Sequence, residues 1–105
     1  MTTSALGKSD IAINTDVLLY TVPLLMYATV NIRIVNRTAA AIPVRVAIGT
    51  GASPTDADYV LYDFSVPATG MTESTGVALS VGEKVWVRSA AVGLTARLAG
   101  FEELL

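Results

Sequence analysis

Three carboxylates, Asp56, Asp58 and Asp63, fall close together in the chain, and hard cations such as Ca²⁺ are held by clusters of such oxygens. The segment lacks the central glycine and the closing glutamate of an EF-hand loop. Asp56 and Asp58 read better as turn residues that bond their own backbone, so no metal is expected. Gly49-Thr50-Gly51 follows a strand-like run in the manner of a phosphate loop. A Walker loop needs Gly-Lys-Ser/Thr after its four-residue spacer, so that amides and lysine hold phosphates. That lysine is absent, Gly82-Glu83-Lys84 does not supply the pattern either, and the glycines read as turn formers. Glu73 and Glu83 are candidates for a hydrolytic carboxylate pair, but both sit in turn-rich segments that imply no cleft. No spacing points to a Ser/Lys dyad. The chain has neither cysteine nor histidine, which removes thiolate chemistry, the commonest general base and the commonest metal ligand. A protein without catalytic residues and without a cofactor is the expectation.

The elements that must position any site are short strands. The chain has 105 residues, enough for one domain that buries roughly 65% of its unfolded surface. Ala28 to Asn36 alternates, with Val30, Ile32 and Ile34 on one face and Thr29, Asn31 and Arg33 on the other. Val44-Arg45-Val46-Ala47-Ile48 alternates with Arg45 outward. Tyr59 to Val66 places Val60, Tyr62, Phe64 and Val66 on one face. Further strands read over Thr72–Leu79, Glu83–Arg88 and Leu94–Phe101, with one or two more over Asp10–Asn14 and Val17–Val22. Turn formers such as residues 49–58 and Pro67-Ala68-Thr69-Gly70 separate them. Seven or eight short strands at such spacing predict an all-β fold, an antiparallel sandwich or barrel. Residues 1–9 read as a polar, flexible N-terminal arm, able to order by strand addition onto a neighbour; residues 10–105 read as a single β-sandwich domain.

Composition turns attention from chemistry to surfaces. Hydrophobic residues make up 52% of the chain and charged residues 15%, against about 25% charged in ordinary domains. A small domain has a large surface fraction, so part of its apolar surface is expected to be covered by partners. The net charge of −2 points to neither nucleic acid nor an anionic membrane. The most apolar stretch, Val17–Val30, is interrupted by Pro23 and is shorter than the roughly 20 residues of a spanning helix. No signal peptide is visible at the N-terminus.

Two surface features stand out. If the strands carrying them share one sheet, as in immunoglobulin-like folds, Arg45, Trp86, Arg88 and Arg97 all point outward. Trp and Arg dominate interface hot spots. The alternatives are an arginine stacked on Trp86 within one subunit, or a one-residue shift in parity that turns Trp86 inward. The second feature is Pro23-Leu24-Leu25-Met26-Tyr27, placed where a hairpin connection is expected. Connections are normally polar, so these apolar residues suggest contact with a neighbouring subunit; the alternative is a buried strand bent at the proline.

The runs Asn14-Thr15-Asp16, Leu19-Tyr20-Thr21-Val22-Pro23, Ala28-Thr29-Val30-Asn31-Ile32 and Asn36-Arg37 resemble small virion structural proteins of tailed bacteriophages. Val44-Arg45-Val46-Ala47-Ile48, Ala57-Asp58-Tyr59-Val60-Leu61-Tyr62-Asp63, Gly82-Glu83-Lys84-Val85, Val87-Arg88 and Gly100-Phe101-Glu102-Glu103 continue the resemblance, which spans nearly the whole chain from Leu6. It implies an immunoglobulin-like sandwich used as a building block of the particle. Leu24-Leu25-Met26 departs from the family, where this segment is more polar, and so favours a special contact. The expected function is a non-enzymatic virion structural protein, a capsid decoration or cement protein. It would be homo-oligomeric and bound to major capsid or tail proteins in the virion, after assembly in the host bacterial cytoplasm. A small tail or baseplate component and a receptor- or carbohydrate-binding module are the alternatives.

Overall fold

Eight strands form from these runs in a computed structural model that describes residues 2–105, with side chains from Leu6 onward. They are β1 (Thr2–Asp10), β2 (Val17–Thr21), β3 (Met26–Asn36), β4 (Ile42–Gly49), β5 (Tyr59–Val66), β6 (Met71–Leu79), β7 (Lys84–Ser89) and β8 (Leu94–Leu104), with one 3₁₀ turn at Asp56–Asp58. Two four-stranded antiparallel sheets result, a first sheet in the order β1-β8-β3-β6 and a second in the order β2-β7-β4-β5. The expected all-β sandwich is therefore present.

The strand order is not that of an immunoglobulin domain, whose first two strands share a sheet. Here the first strand pairs with the eighth, the second with the seventh, the third with the sixth and the fourth with the fifth. Such nested pairing is one long hairpin rolled into two layers, the connectivity of a jelly roll. Strand spacing along the chain is alike in both architectures, so only long-range pairing separates them.

The alternation read in the sequence fills the space between the layers. Ala28, Val30, Ile32 and Ile34 of β3 and Leu94, Ala96 and Leu98 of β8 meet Val44 and Val46 of β4 and Val85 and Val87 of β7. Each buried valine, leucine or isoleucine among them contributes about 1.5–3 kcal/mol. Asn36 ends β3 inside this core. Its amide donates to the Ala40 and Val66 carbonyls, and its Oδ1 accepts from the Thr38 amide and hydroxyl. All its polar capacity is spent on pinning the β3–β4 connection, which satisfies a buried amide.

Three local expectations change. Residues 1–9 are expected as an arm, but Thr2–Asp10 forms β1 along β8. Asp10–Asn14 is not a strand, since beyond Asp10 only Ile13 makes an isolated bridge, to Ser89. The apolar alternation of β5 does not make one buried face, because Val60, Tyr62 and Phe64 are exposed while Val66 is buried. The cause is a bulge between Phe64 and Leu61 opposite Val44 and Val46, with Asp63 at φ 52°.

All four edge strands, β1, β2, β5 and β6, carry such an irregularity against their inner neighbours. The two central pairs, β3·β8 and β4·β7, run without one. A bulged edge resists the addition of a foreign strand, so contact with other molecules falls to faces and ends.

Candidate functional site

The β2–β3 connection crosses from the second sheet to the first, rather than closing a hairpin as expected. It turns tightly, with the Met26 amide donating to the Pro23 carbonyl. Leu25 takes the third position of this turn at φ 64°, a left-handed conformation suited to glycine or asparagine and costing a leucine about 1–2 kcal/mol. Leu24 and Leu25 are 84% and 72% exposed. The Leu105 amide donates to the Leu25 carbonyl at 2.9 Å, and the β6–β7 turn joins the same end through Gly82 to the Val22 carbonyl. Leu104 shares the inward parity of Leu94, Ala96 and Leu98, yet is 70% exposed. The inner face of the first sheet is therefore uncovered here. Leu24, Leu25 and Leu104 make an apolar end, with Val81 and Tyr27 partly exposed beside it.

The other two residues of the predicted segment do different work. Met26 packs partly buried against the core, and the Tyr27 hydroxyl donates to the Glu103 carboxylate, which raises the Tyr27 pKa. Just inside this end, the buried Tyr20 hydroxyl donates to the buried Glu102 carboxylate at 2.5 Å, tying the second sheet to the first. Burial and the Glu102 carboxylate push the Tyr20 pKa well above that of a free phenol. Sequence reasoning missed this pair. The signal was Glu102 itself, a carboxylate at inward parity in the last strand.

The predicted group of Arg45, Trp86, Arg88 and Arg97 is not brought together. Arg97 lies on the outer face of the first sheet, whereas the other three lie on the second, because the jelly-roll order separates β8 from β4 and β7. Trp86 has the outward parity expected, with Val85 and Val87 inward, but it is only 4% exposed. It stands in a cross-strand row with Leu18 and Ala47, and Tyr59 follows Ala47. Its ring is a packing element of that face, not a surface anchor. Arg45 and Arg88 are direct cross-strand neighbours. Each has a carboxylate of its own, Asp63 at 2.7 Å from Arg45 and Asp16 at 3.6 Å from Arg88. The Arg45 hydrogen bond lowers the Asp63 pKa. The cation–π contact weighed for Trp86 forms elsewhere, with the Arg45 guanidinium 4.1 Å from the Tyr62 ring centre. Asn14, Pro43, Arg45, Asp63, Arg88, Ser89 and Ala90 line a polar cleft of about 140 Å³ there. Its charges are balanced in place.

Of the remaining chemical candidates, Asp56 is exposed and the others make structural contacts. The Asp58 carboxylate accepts the Thr55 amide at 2.9 Å and the Glu83 carboxylate accepts the Ser80 amide at 2.7 Å, while Glu73 pairs with Arg33 at 3.1 Å. The carbonyls of Thr50 and Gly51 accept from Lys84 Nζ, so this turn presents oxygens where a phosphate loop presents amides. Among the described residues, no three carboxylates gather as a metal site would require. No protein-family model, curated protein or solved structure matches this chain.

Proposed function

We propose that the chain is a non-enzymatic building block of a bacteriophage particle, a decoration or cement protein held by contacts with capsid or tail proteins and with its own copies. The observation that carries this reading is the leucine end. Large apolar side chains are normally withdrawn from connections, and strained backbone persists where surrounding structure and function sustain it. Leu25 combines both departures at one position. The bulged edges support the same reading, since they leave the end free to bind while discouraging indiscriminate strand pairing. The sequence resemblance supplies the particle, and its lattice would raise the effective concentration of many modest contacts. A jelly roll serves viral capsid domains and lectins alike, so the fold by itself does not choose.

The test is the double substitution Leu24→Ser/Leu25→Ser, followed by sedimentation and by binding to purified particles. The expected result is loss of self-association and particle binding with the β-sheet circular dichroism unchanged. A wild-type chain that stays monomeric at millimolar concentration and is absent from particles by mass spectrometry overturns the reading.

A further inference from the structure

A line of cations crosses the outer face of the first sheet. The register places Lys8 opposite Arg97, Arg97 opposite Arg33, and Arg33 opposite Glu73. Four strands thus contribute three cations and one carboxylate to a single row. Adjacent strands lie about 4.8 Å apart, and like charges directly opposite one another destabilise a sheet. Only Arg33 has relief, from Glu73 at 3.1 Å. The other ion pairs use Arg37, Arg45 and Arg88, and Lys84 is held by carbonyls. Lys8 and Arg97 therefore stand without a carboxylate among the described residues, on a chain whose net charge is −2.

The same row borders a groove of about 220 Å³ lined by Asn31, Arg33, Glu73, Arg97 and Ala99. Ala99, between Asn31 on β3 and Ala5 on β1 in register, provides room at its floor. Asn31 Oδ1 is occupied by the Gly76 amide at 3.0 Å, which leaves its amide nitrogen as a donor. Glu73 is committed to Arg33. What remains unsatisfied in and beside this groove is donors: Arg97, Lys8, the rest of the Arg33 fork and Asn31 Nδ2.

We infer that this face recognises an extended acidic segment of a partner protein, taken by the row Lys8–Arg97–Arg33 with Asn31. A single compact oxyanion is best held by donors that converge on one point; here the cations are spread along a line about 10 Å long across three strands. An extended segment presents side chains of one face about 7 Å apart, so two successive carboxylates fall within the line and each lies near a cation. Planar guanidinium groups bind carboxylates through paired hydrogen bonds. The inference is independent of the leucine end and stands or falls without it.

The experiment is an NMR titration of the full chain with a synthetic peptide of alternating glutamate and serine. Expected are shifts confined to residues around Lys8, Asn31, Arg33 and Arg97, and an affinity that falls as salt rises. Arg97→Glu should weaken binding at least tenfold, with Lys8→Glu as the second variant should the first fail to fold; Leu24→Ser should leave binding unchanged. The inference is overturned by shifts elsewhere on the surface, by charge reversal without effect, or by inorganic sulfate binding as tightly as the peptide.

Discussion

The outer face of the second sheet and the leucine end treat their large side chains in opposite ways. On the face, Arg45 and Arg88 each hold a carboxylate and the large ring of Trp86 is packed away to 4% exposure. At the end, Leu24, Leu25 and Leu104 stay in solvent and the backbone of Leu25 is strained. A hot-spot residue type therefore marks a folding contact in one region, while ordinary leucines mark the candidate contact in the other. What separates them is position in the layers. A central strand brings neighbours to cover an indole, and an inter-sheet turn at the mouth of the sandwich brings none.

The strongest way to break this contrast is Trp86→Ala. If the indole packs the face, the loss should be about 3–5 kcal/mol of stability, as for other large-to-small changes at buried rings, read by denaturant unfolding. A variant as stable as wild type that binds partners less well would return Trp86 to the interface and erase the contrast.

Legibility in the sequence follows the same division. The alternation of Val30, Ile32 and Ile34 and of Val44 and Val46 is local, and it found the strands and their inner faces. The nested pairing of β1 with β8 and β2 with β7 joins residues far apart in sequence, so nothing local in either partner announces it. That is why the sequence suggests Arg97 beside Arg88, and why residues 1–9 read as an arm. The outward parity of Trp86 was readable; its burial was not, because it depends on Leu18 and Ala47 arriving from two other strands. Leu24 and Leu25 were legible as misplaced apolar residues. The left-handed φ of Leu25 was not, since residue type argues against it.

A smaller effect probes the floor beneath the leucine end. Tyr20→Phe leaves the buried Glu102 carboxylate without its hydroxyl donor, and the cost should be about 1–3 kcal/mol. The pH dependence follows from the raised Tyr20 pKa. The folded state keeps the phenol proton beyond the free value of about 10. Above that pH the unfolded chain loses the proton first, so stability is intact below about pH 10 and falls as pH rises. The slope approaches about 1.4 kcal/mol per pH unit for one proton. Tyr20→Phe should shallow that alkaline slope without abolishing it, because Tyr27 is displaced in the same direction by Glu103. An alkaline unfolding profile unchanged by the substitution would mean that the two sheets are not tied at this point.

The smallest change in stability should come from Leu25→Asn, and it is the sharpest for the contrast because two readouts should move in opposite directions. Asparagine tolerates the left-handed region that Leu25 occupies at φ 64°, so relief of strain should leave the monomer as stable as wild type or up to about 1 kcal/mol more stable. The side chain is 72% exposed, so little core packing is lost in exchange. Association should nevertheless weaken, because an apolar contact surface has been replaced by an amide. A leucine kept for folding would give the reverse, a lower melting temperature with association untouched. A leucine at this φ that improves neither folding nor binding would leave the strained turn without a purpose and remove the reason to treat this end as a contact.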